Sequence, residues 1–327
     1  MSREAVAEAI RASTRITVIC HENPDADTLG SALALRMAAE RLGKTVEVVA
    51  ADPVPPLLSG LPHASEVRTA PALEPDLALV TDGPPSRTGA VARDCAEWLS
   101  RARIVNIDHH VSNDGSEAAV AWVDADAAAT CEMVAQLIPE LGVDIDTDIA
   151  TVLLAGIVQD THTFAHPNAT PRTLRVAADL VEAGAPLSAI HRSIYADKPF
   201  STLALWGRIL AGAAERHEGR IVFAVMSASM LRETGTDPVA SEGFIDLLAS
   251  TKAADVTVLF KEADPSGIRV SVRTSARADA VAITSAFGGG GHARAAGCTV
   301  EAPLDQAVRR VLEECERELD RADARGR

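Results

Sequence analysis

The stretch His21–Leu35, HENPDADTLGSALAL, crowds one histidine and two aspartates (His21, Asp25, Asp27) into seven residues, and a helix-like apolar run follows at once. Packing alone has no use for three ionisable side chains there. The stretch therefore reads as a metal site, a helix cap or a solvated turn. Before it lies a strand-like segment, RITVIC at 15–20. After it, GSALALRMAAERLG at 30–43 reads as a helix ended by Gly43.

The same alternation continues outward. VEVVA (46–50), LALVTD (77–82) and RIVNID (103–108) are β-branched runs, while ATCEMVAQLIPELG (129–142) and DIATVLLAGIVQD (148–160) read as helices. Strands separated by helices predict an α/β fold: a mostly parallel sheet with helices on both faces. From about residue 170 the pattern is helical through TLRVAADLVEAG and STLALWGRILAGAAE, the latter placed as a bridge between two domains. RIVFAVMS (220–227), ADVTVLFKE and GIRVSVRTS are further strands, the last two joined by the turn ADPSG. FGGGGHARAAG, a short strand CTVE and a charged helix complete a smaller α/β domain, with the tail after Leu319 expected to be frayed or exposed. The predicted organisation is a first domain over 1–190, a helical linker over 191–218 and a second domain over 219–327.

With 327 residues, 47% of them hydrophobic, the chain is long enough for two buried cores. Its net charge of −15 argues against a protein that grips a long nucleic acid, although a small anion could still find a locally positive site. The N-terminus MSREAVAEAIRAS lacks the apolar core of a signal peptide, and no segment approaches the roughly 20 apolar residues of a membrane span. The five cysteines (Cys20, Cys95, Cys131, Cys298, Cys315) are scattered and never form a CxxC pair, so reduced thiols and a cytoplasmic location are expected.

Four segments carry the chemistry. TVIC runs into His21, Asp25 and Asp27; LALVT into Asp82; RIVNI into Asp108, His109 and His110; and TVLLAGIVQ into Asp160. Ligands of open parallel sheets bind beyond the carboxyl ends of the strands, where three of these segments end. A lone Asp after a strand is usually a turn or cap residue. All four gathered at one sheet edge are not explained that way. Each carboxylate pair at about 4 Å costs roughly 1–4 kcal/mol without counter-charge, and divalent cations remove that cost. Oxygen ligands with one or two imidazoles suit Mn²⁺ best, with Mg²⁺ or Co²⁺ next, and no cysteine joins the clusters as structural zinc would require. A site of this size could hold two metals bridged by one Asp and a hydroxide, the arrangement of a two-metal hydrolase.

These segments, in order, resemble the motifs of the DHH phosphoesterase superfamily: HENPDADTLGSALAL, the strand-end Asp82, NIDHH and GIVQDTHTF. VSVRTS with FGGGGHARAAG resembles the signature of its DHH-associated C-terminal domain. Length and domain number are similar to the bifunctional oligoribonuclease and pAp phosphatase (nanoRNase) group, which degrades very short RNAs and 3′-phosphoadenosine 5′-phosphate (pAp). The resemblance implies that His21 and Asp25 bind one metal, that Asp27, His109 and Asp160 bind the other, and that Asp82 bridges them. Asp108 would support its neighbouring histidine, His110 would point at the scissile phosphate, and Arg87 in DGPPSRTG would be a substrate contact. Gly289, Gly290, Gly291 and His292, with Arg273 and Ser275, would form a substrate loop facing the metals across an interdomain cleft.

The expected partners are pAp, di- to pentaribonucleotides and linear or cyclic dinucleotides, with no long nucleic acid and no membrane; a homodimer follows only from the resemblance. Two rivals are a pyrophosphatase or exopolyphosphatase-like hydrolase and a non-catalytic nucleotide-binding module. LGKT (42–45) lacks the first glycine of a phosphate loop and reads as a helix C-cap. VDIDTDI (143–149) lacks the Gly and Glu of a calcium loop and reads as a helix entry. His162 and His166 read equally well as helpers of Asp160 or as chance neighbours.

Overall fold

A computed structural model describes residues 3–95, 99, 101–264 and 267–325. It divides into two compact units, one running through Asp197 and one from Lys198.

The first unit holds a five-stranded parallel sheet of β1 (Arg15–Ile19), β2 (Thr45–Val49), β3 (Leu77–Thr81), β4 (Arg103–Asp108) and β5 (Val120–Val123), in the order β2-β1-β3-β4-β5. Its central strands are buried on both faces, as parallel strands flanked by helices should be. One face is packed by helices Ala26–Arg41, Thr130–Glu140 and Thr147–Asp160, the main core of this unit. The Ala26–Arg41 helix starts four residues earlier than the sequence suggested. Gly30 and Ser31 resemble a helix start, but Asp25 supplies the cap and Gly30 lies within the helix. A Cβ on Gly30 would meet the Val152 carbonyl oxygen at 2.3 Å, so the glycine lets the Thr147–Asp160 helix come close. Among the described residues no helix is long and apolar enough to cross a membrane.

The second unit carries a mixed sheet of β6 (Ala214–Arg216), β7 (Ile221–Met226), β8 (Val256–Asp264), β9 (Gly267–Thr274), β10 (Gly290–His292) and β11 (Ala295–Val300), in the order β10-β11-β9-β8-β7-β6. Alternate residues serve opposite faces. Val258 and Phe260 join a core with Val311, Cys315 and Leu319 of the Leu304–Arg325 helix, whereas Leu259 joins Leu205, Ile209 and Phe244. The Phe200–Ala211 helix, expected as a bridge, thus packs Leu205 and Ile209 into the second unit's own core. The tail after Leu319 is mostly exposed over 320–324, as one of the two expectations had it, but helical rather than frayed: the last helix runs to Arg325, and Asp323 accepts hydrogen bonds from Arg220 at 2.7 and 3.2 Å. The turn joining β8 to β9 includes residues 265–266, which lie outside the described residues.

Candidate metal centre

The first strand delivers His21. Its Nδ1–H donates to the Glu22 carbonyl at 2.7 Å, which leaves Nε2 facing Asp25 Oδ1 at 3.6 Å and Asp82 Oδ2 at 3.3 Å. Asp25 is the N-cap of the Ala26–Arg41 helix, and its Oδ1 accepts the Asp27 and Thr28 N–H groups, both at 3.0 Å. Cap and candidate ligand are therefore the same residue, not alternatives. A carboxylate at a helix N-terminus is favoured by the orphan N–H groups and by the macrodipole.

Asp27 sits in the first turn of that helix and is fully buried. Its Oδ2 accepts the Thr130 N–H at 2.6 Å and its Oδ1 the Cys131 N–H at 2.8 Å. It thereby caps the Thr130–Glu140 helix, whose own N-cap, Ala129, has no side-chain acceptor. Gly156 leaves the room: a Cβ there would lie 2.4 Å from Cys131 Sγ and 2.8 Å from Asp27 Oδ1.

Asp82 follows β3 with φ of 62° and is 2% exposed. A left-handed non-glycine residue costs about 1–3 kcal/mol and persists only where its surroundings hold it. Here the Asp82 N–H donates to the Ile107 carbonyl at 3.0 Å, and Asn106 Nδ2 donates to the Val80 and Gly83 carbonyls at 3.1 and 2.8 Å, on either side of the turn. The carboxylate is shared: Oδ2 faces His21, while Oδ1 lies 3.4 Å from His109 Nε2 and accepts from Thr130 Oγ1 at 3.2 Å.

His109 repeats the logic of His21. Its Nδ1 donates to the Ala127 carbonyl at 3.3 Å, and Nε2 faces Asp160 Oδ2 at 3.2 Å and Asp27 Oδ2 at 3.8 Å. Asp160 closes the Thr147–Asp160 helix, and Asn168 Nδ2 donates to its carbonyl at 3.2 Å, satisfying a C-terminal acceptor. His110 turns differently. Its Nδ1 donates to Asp108 Oδ1 at 2.8 Å, while Asn113 Nδ2 donates to Asp108 Oδ2 at 2.6 Å and to Asn106 Oδ1 at 2.7 Å.

The ligand atoms of His21, Asp25 and Asp82 lie within 4.8 Å of one another, as do those of Asp27, His109 and Asp160 and those of Asp82, His109 and His110. Protons compensate the crowding of charge. Burial alone would lower the His21 pKa, but hydrogen bonds to Asp25 and Asp82 push it up to about 10. For His109 burial is likewise outweighed, by Asp160 and Asp82, and the pKa is pushed up to about 12. Burial would raise Asp82, yet the two imidazoles hold it well below the usual carboxylate range. Burial and then the charges of Asp82 and Asp160 push Asp27 well above that range, and Asp160 rises to about 6, mainly through burial. The donor set fits divalent cations: carboxylate oxygens with two imidazoles whose Nε2 atoms are oriented inward by backbone carbonyls. One thiol lies closer than the sequence suggested, since Cys131 Sγ contacts the Asp27 carbonyl at 3.4 Å. Burial pushes the thiols of Cys131 and Cys20 up, the latter to about 12.

Arg87 lies in a 3-10 turn over Pro85–Thr88; it is exposed, and its NH1 is 3.9 Å from where a Gly83 Cβ would stand. In the second unit, Arg273 Nε donates to Asp246 Oδ1 at 2.9 Å, and Ser275 Oγ donates to Asp255 Oδ1 at 2.8 Å. The glycine-rich segment, expected as a substrate loop, forms a short edge strand. Gly290–His292 pairs antiparallel with Ala295–Gly297 at the sheet edge. Gly289 and Gly291 are required by that pairing, because Cβ atoms there would lie 2.3 Å from the Gly297 carbonyl oxygen and 2.6 Å from that of Ala295. The backbone of His292 belongs to this strand; its side chain lies outside the description. Sequence reasoning missed Asn106, Asn113 and Thr130, whose side chains hold the turn and the carboxylates. The only trace of the first two was an amide on either side of DHH.

Residues 15–157 match the DHH family, N-terminal domain, and residues 219–320 match the DHHA1 domain. The chain belongs to the DHH family. It is 35% identical over 322 residues to the bifunctional oligoribonuclease and PAP phosphatase NrnA of Thermus thermophilus, covering 97% of this chain and 94% of that protein. To the Bacillus subtilis protein of the same name it is 27% identical, covering 87% and 89%. Among solved structures, an exopolyphosphatase-related protein from Bacteroides fragilis shares the fold with a TM-score of 0.90 at 21% identity, covering 98% of this chain and 97% of that one. RecJ from Thermus thermophilus, solved with Mn²⁺, superposes with a TM-score of 0.57 at 17% identity over 96% of this chain and 54% of its own.

Proposed function

We propose that this DHH-family phosphoric ester hydrolase uses two Mn²⁺ ions to cleave short oligoribonucleotides and linear or cyclic dinucleotides, cyclic di-AMP included, and to remove a phosphate from pAp in the cytoplasm. The observation that carries the reading is the buried Asp82 carboxylate, with one oxygen toward His21 and the other toward His109. The substrate classes come from the relatives named oligoribonuclease and PAP phosphatase. His21, Asp25 and Asp82 would hold one ion; Asp27, His109, Asp160 and again Asp82 would hold the other. When bound, the ions supply an activated water and neutralise charge on the phosphoryl oxygens.

The chain's own residues do the rest. Asp108 orients His110 and keeps a proton on its Nδ1, so the ring can position the phosphate and stabilise charge developing there. Arg87 is exposed and contributes a cation to the phosphate. Arg273, Ser275, Gly289, Gly290, Gly291 and His292 of the second unit would recognise the distal nucleotide or terminal phosphate. A net charge of −15 repels long polyanions and favours short ones.

A substrate panel with Mn²⁺ tests the proposal, comparing pAp, di- to pentaribonucleotides, cyclic di-AMP and pyrophosphate. Nucleotide hydrolysis should dominate and be lost in Asp82→Ala. Pyrophosphate turnover exceeding that of every nucleotide would reverse the reading.

A further inference from the structure

Immediately after Asp160 the backbone takes an unusual path. His162, Thr163 and Phe164 have φ of 47°, 54° and 64°, three consecutive non-glycine residues in the left-handed region. A β-branched and an aromatic residue are especially disfavoured there. The turn is locked nonetheless. His162 N–H donates to the Gln159 carbonyl at 3.1 Å, Thr163 N–H to the Val158 carbonyl at 2.8 Å, and His166 N–H to the Thr161 carbonyl at 2.9 Å. Strain of this kind persists where the surroundings over-determine it, and it concentrates at functional sites.

What the turn builds is a pair of exposed imidazoles backed by Tyr195, which itself packs against the core. The imidazoles of His162 and His166 lie nearly parallel, 15° apart with centroids at 5.2 Å, and both residues are exposed. Tyr195 meets His162 edge-on at 4.6 Å, and its hydroxyl donates to the Gln159 carbonyl at 2.9 Å, fixing the assembly to the end of the Asp160 helix. Thr163 Oγ1 hydrogen-bonds His191 Nδ1 at 2.9 Å behind it. Phe164 at the end of the turn packs against the main core of the first unit, whereas the rings of His162 and His166 stay exposed, so burial accounts for the Phe164 end of the turn and not for the ring pair.

We propose that the His162–His166 ring pair is a stacking platform for a nucleobase of the nucleotide whose phosphate lies at the Asp82–His109 cage, an inference that rests on the phosphoesterase reading. Flat, nearly parallel rings offer a π-face, which every base can use. A phosphate is the poorer occupant, because the nearest ionisable group along the chain is the Asp160 carboxylate. A metal is poorer too, since none of the three-ligand groupings among the described residues includes these histidines.

The test compares the wild type with His162→Ala, His166→Ala and His162→Phe as full-length, Mn²⁺-loaded protein. Two probes are used: KM for pAp against ribose 3′,5′-bisphosphate, which keeps the phosphates but lacks the base, and fluorescence quenching of 2-aminopurine riboside 5′-monophosphate. Loss of a stack should raise KM for pAp about 10-fold in the alanine variants, leave the baseless ester unchanged and abolish quenching, while His162→Phe retains both. Equal effects on the two esters, or no quenching by the wild type, would overturn the platform even if pAp is hydrolysed. Quenching that depends on His162 in a protein that hydrolyses no nucleotide would support the platform and defeat the hydrolytic reading instead.

Discussion

Asp27 Oδ2 accepts the Thr130 backbone N–H at 2.6 Å, so a carboxylate that faces His109 also caps the helix following β5. The two duties separate by substitution. Asp27→Asn keeps an acceptor for one N–H but removes the carboxyl, and should lose the gain in melting temperature that Mn²⁺ confers on the wild type. Asp27→Ala loses the cap as well and should be less stable than Asp27→Asn by about 1–2 kcal/mol in urea unfolding. Equal stability of the two variants would show that the cap contributes nothing.

The histidines set a pH dependence. His21 and His109 have folded pKa values of about 10 and 12, above the ordinary 6.5, so their contribution to the metal-free protein is complete below pH 6.5 and is lost as pH rises toward 10 and beyond. Asp160, raised to about 6, acts in the same direction at lower pH, and depressed Asp82 stays ionised throughout this window. Chelated protein should therefore melt at progressively lower temperature from pH 6.5 to 10. Metal must displace the imidazole protons, so Mn²⁺ affinity should rise over the same window, with proton release visible by calorimetry in buffers of different ionisation heat. A melting temperature that climbs across this range without metal would contradict the assignment.

Asn113 is the third lever. It donates to Asp108 and Asn106 together, tying the residue that orients His110 to the residue that holds the Asp82 turn. Asn113→Ala leaves two buried acceptors short of a donor and should cost about 1–3 kcal/mol. If it acts as a positioning residue, kcat should fall with little change in KM. An unchanged kcat in a merely less stable protein would make it structural only.

The acids at strand ends were legible because position after a strand is written locally: Asp82 and Asp108 sit where β3 and β4 stop. The start of the first helix was misread by four residues because Gly30 resembles punctuation, whereas its real constraint is the Val152 carbonyl 122 positions away in the chain. Asn106, Asn113 and Thr130 were invisible for the same reason, since an amide or hydroxyl has no meaning until the turn it pins exists. FGGGGH misled differently. Consecutive glycines erase the period-two signal of a strand, and only the register with Ala295–Gly297 shows one.

The dual duty of Asp25 and Asp27 bears on modularity. HENPDADTLGSALAL carries three of the six cage residues, yet two of the N–H groups that fix Asp27 belong to Thr130 and Cys131, and room for its carboxylate is left by Gly156. Transplanted into another strand–helix unit, the stretch would keep its own cap at Asp25 and lose the socket for Asp27. A cage of this kind is thus inherited as a three-helix corner, and cannot be moved as a peptide.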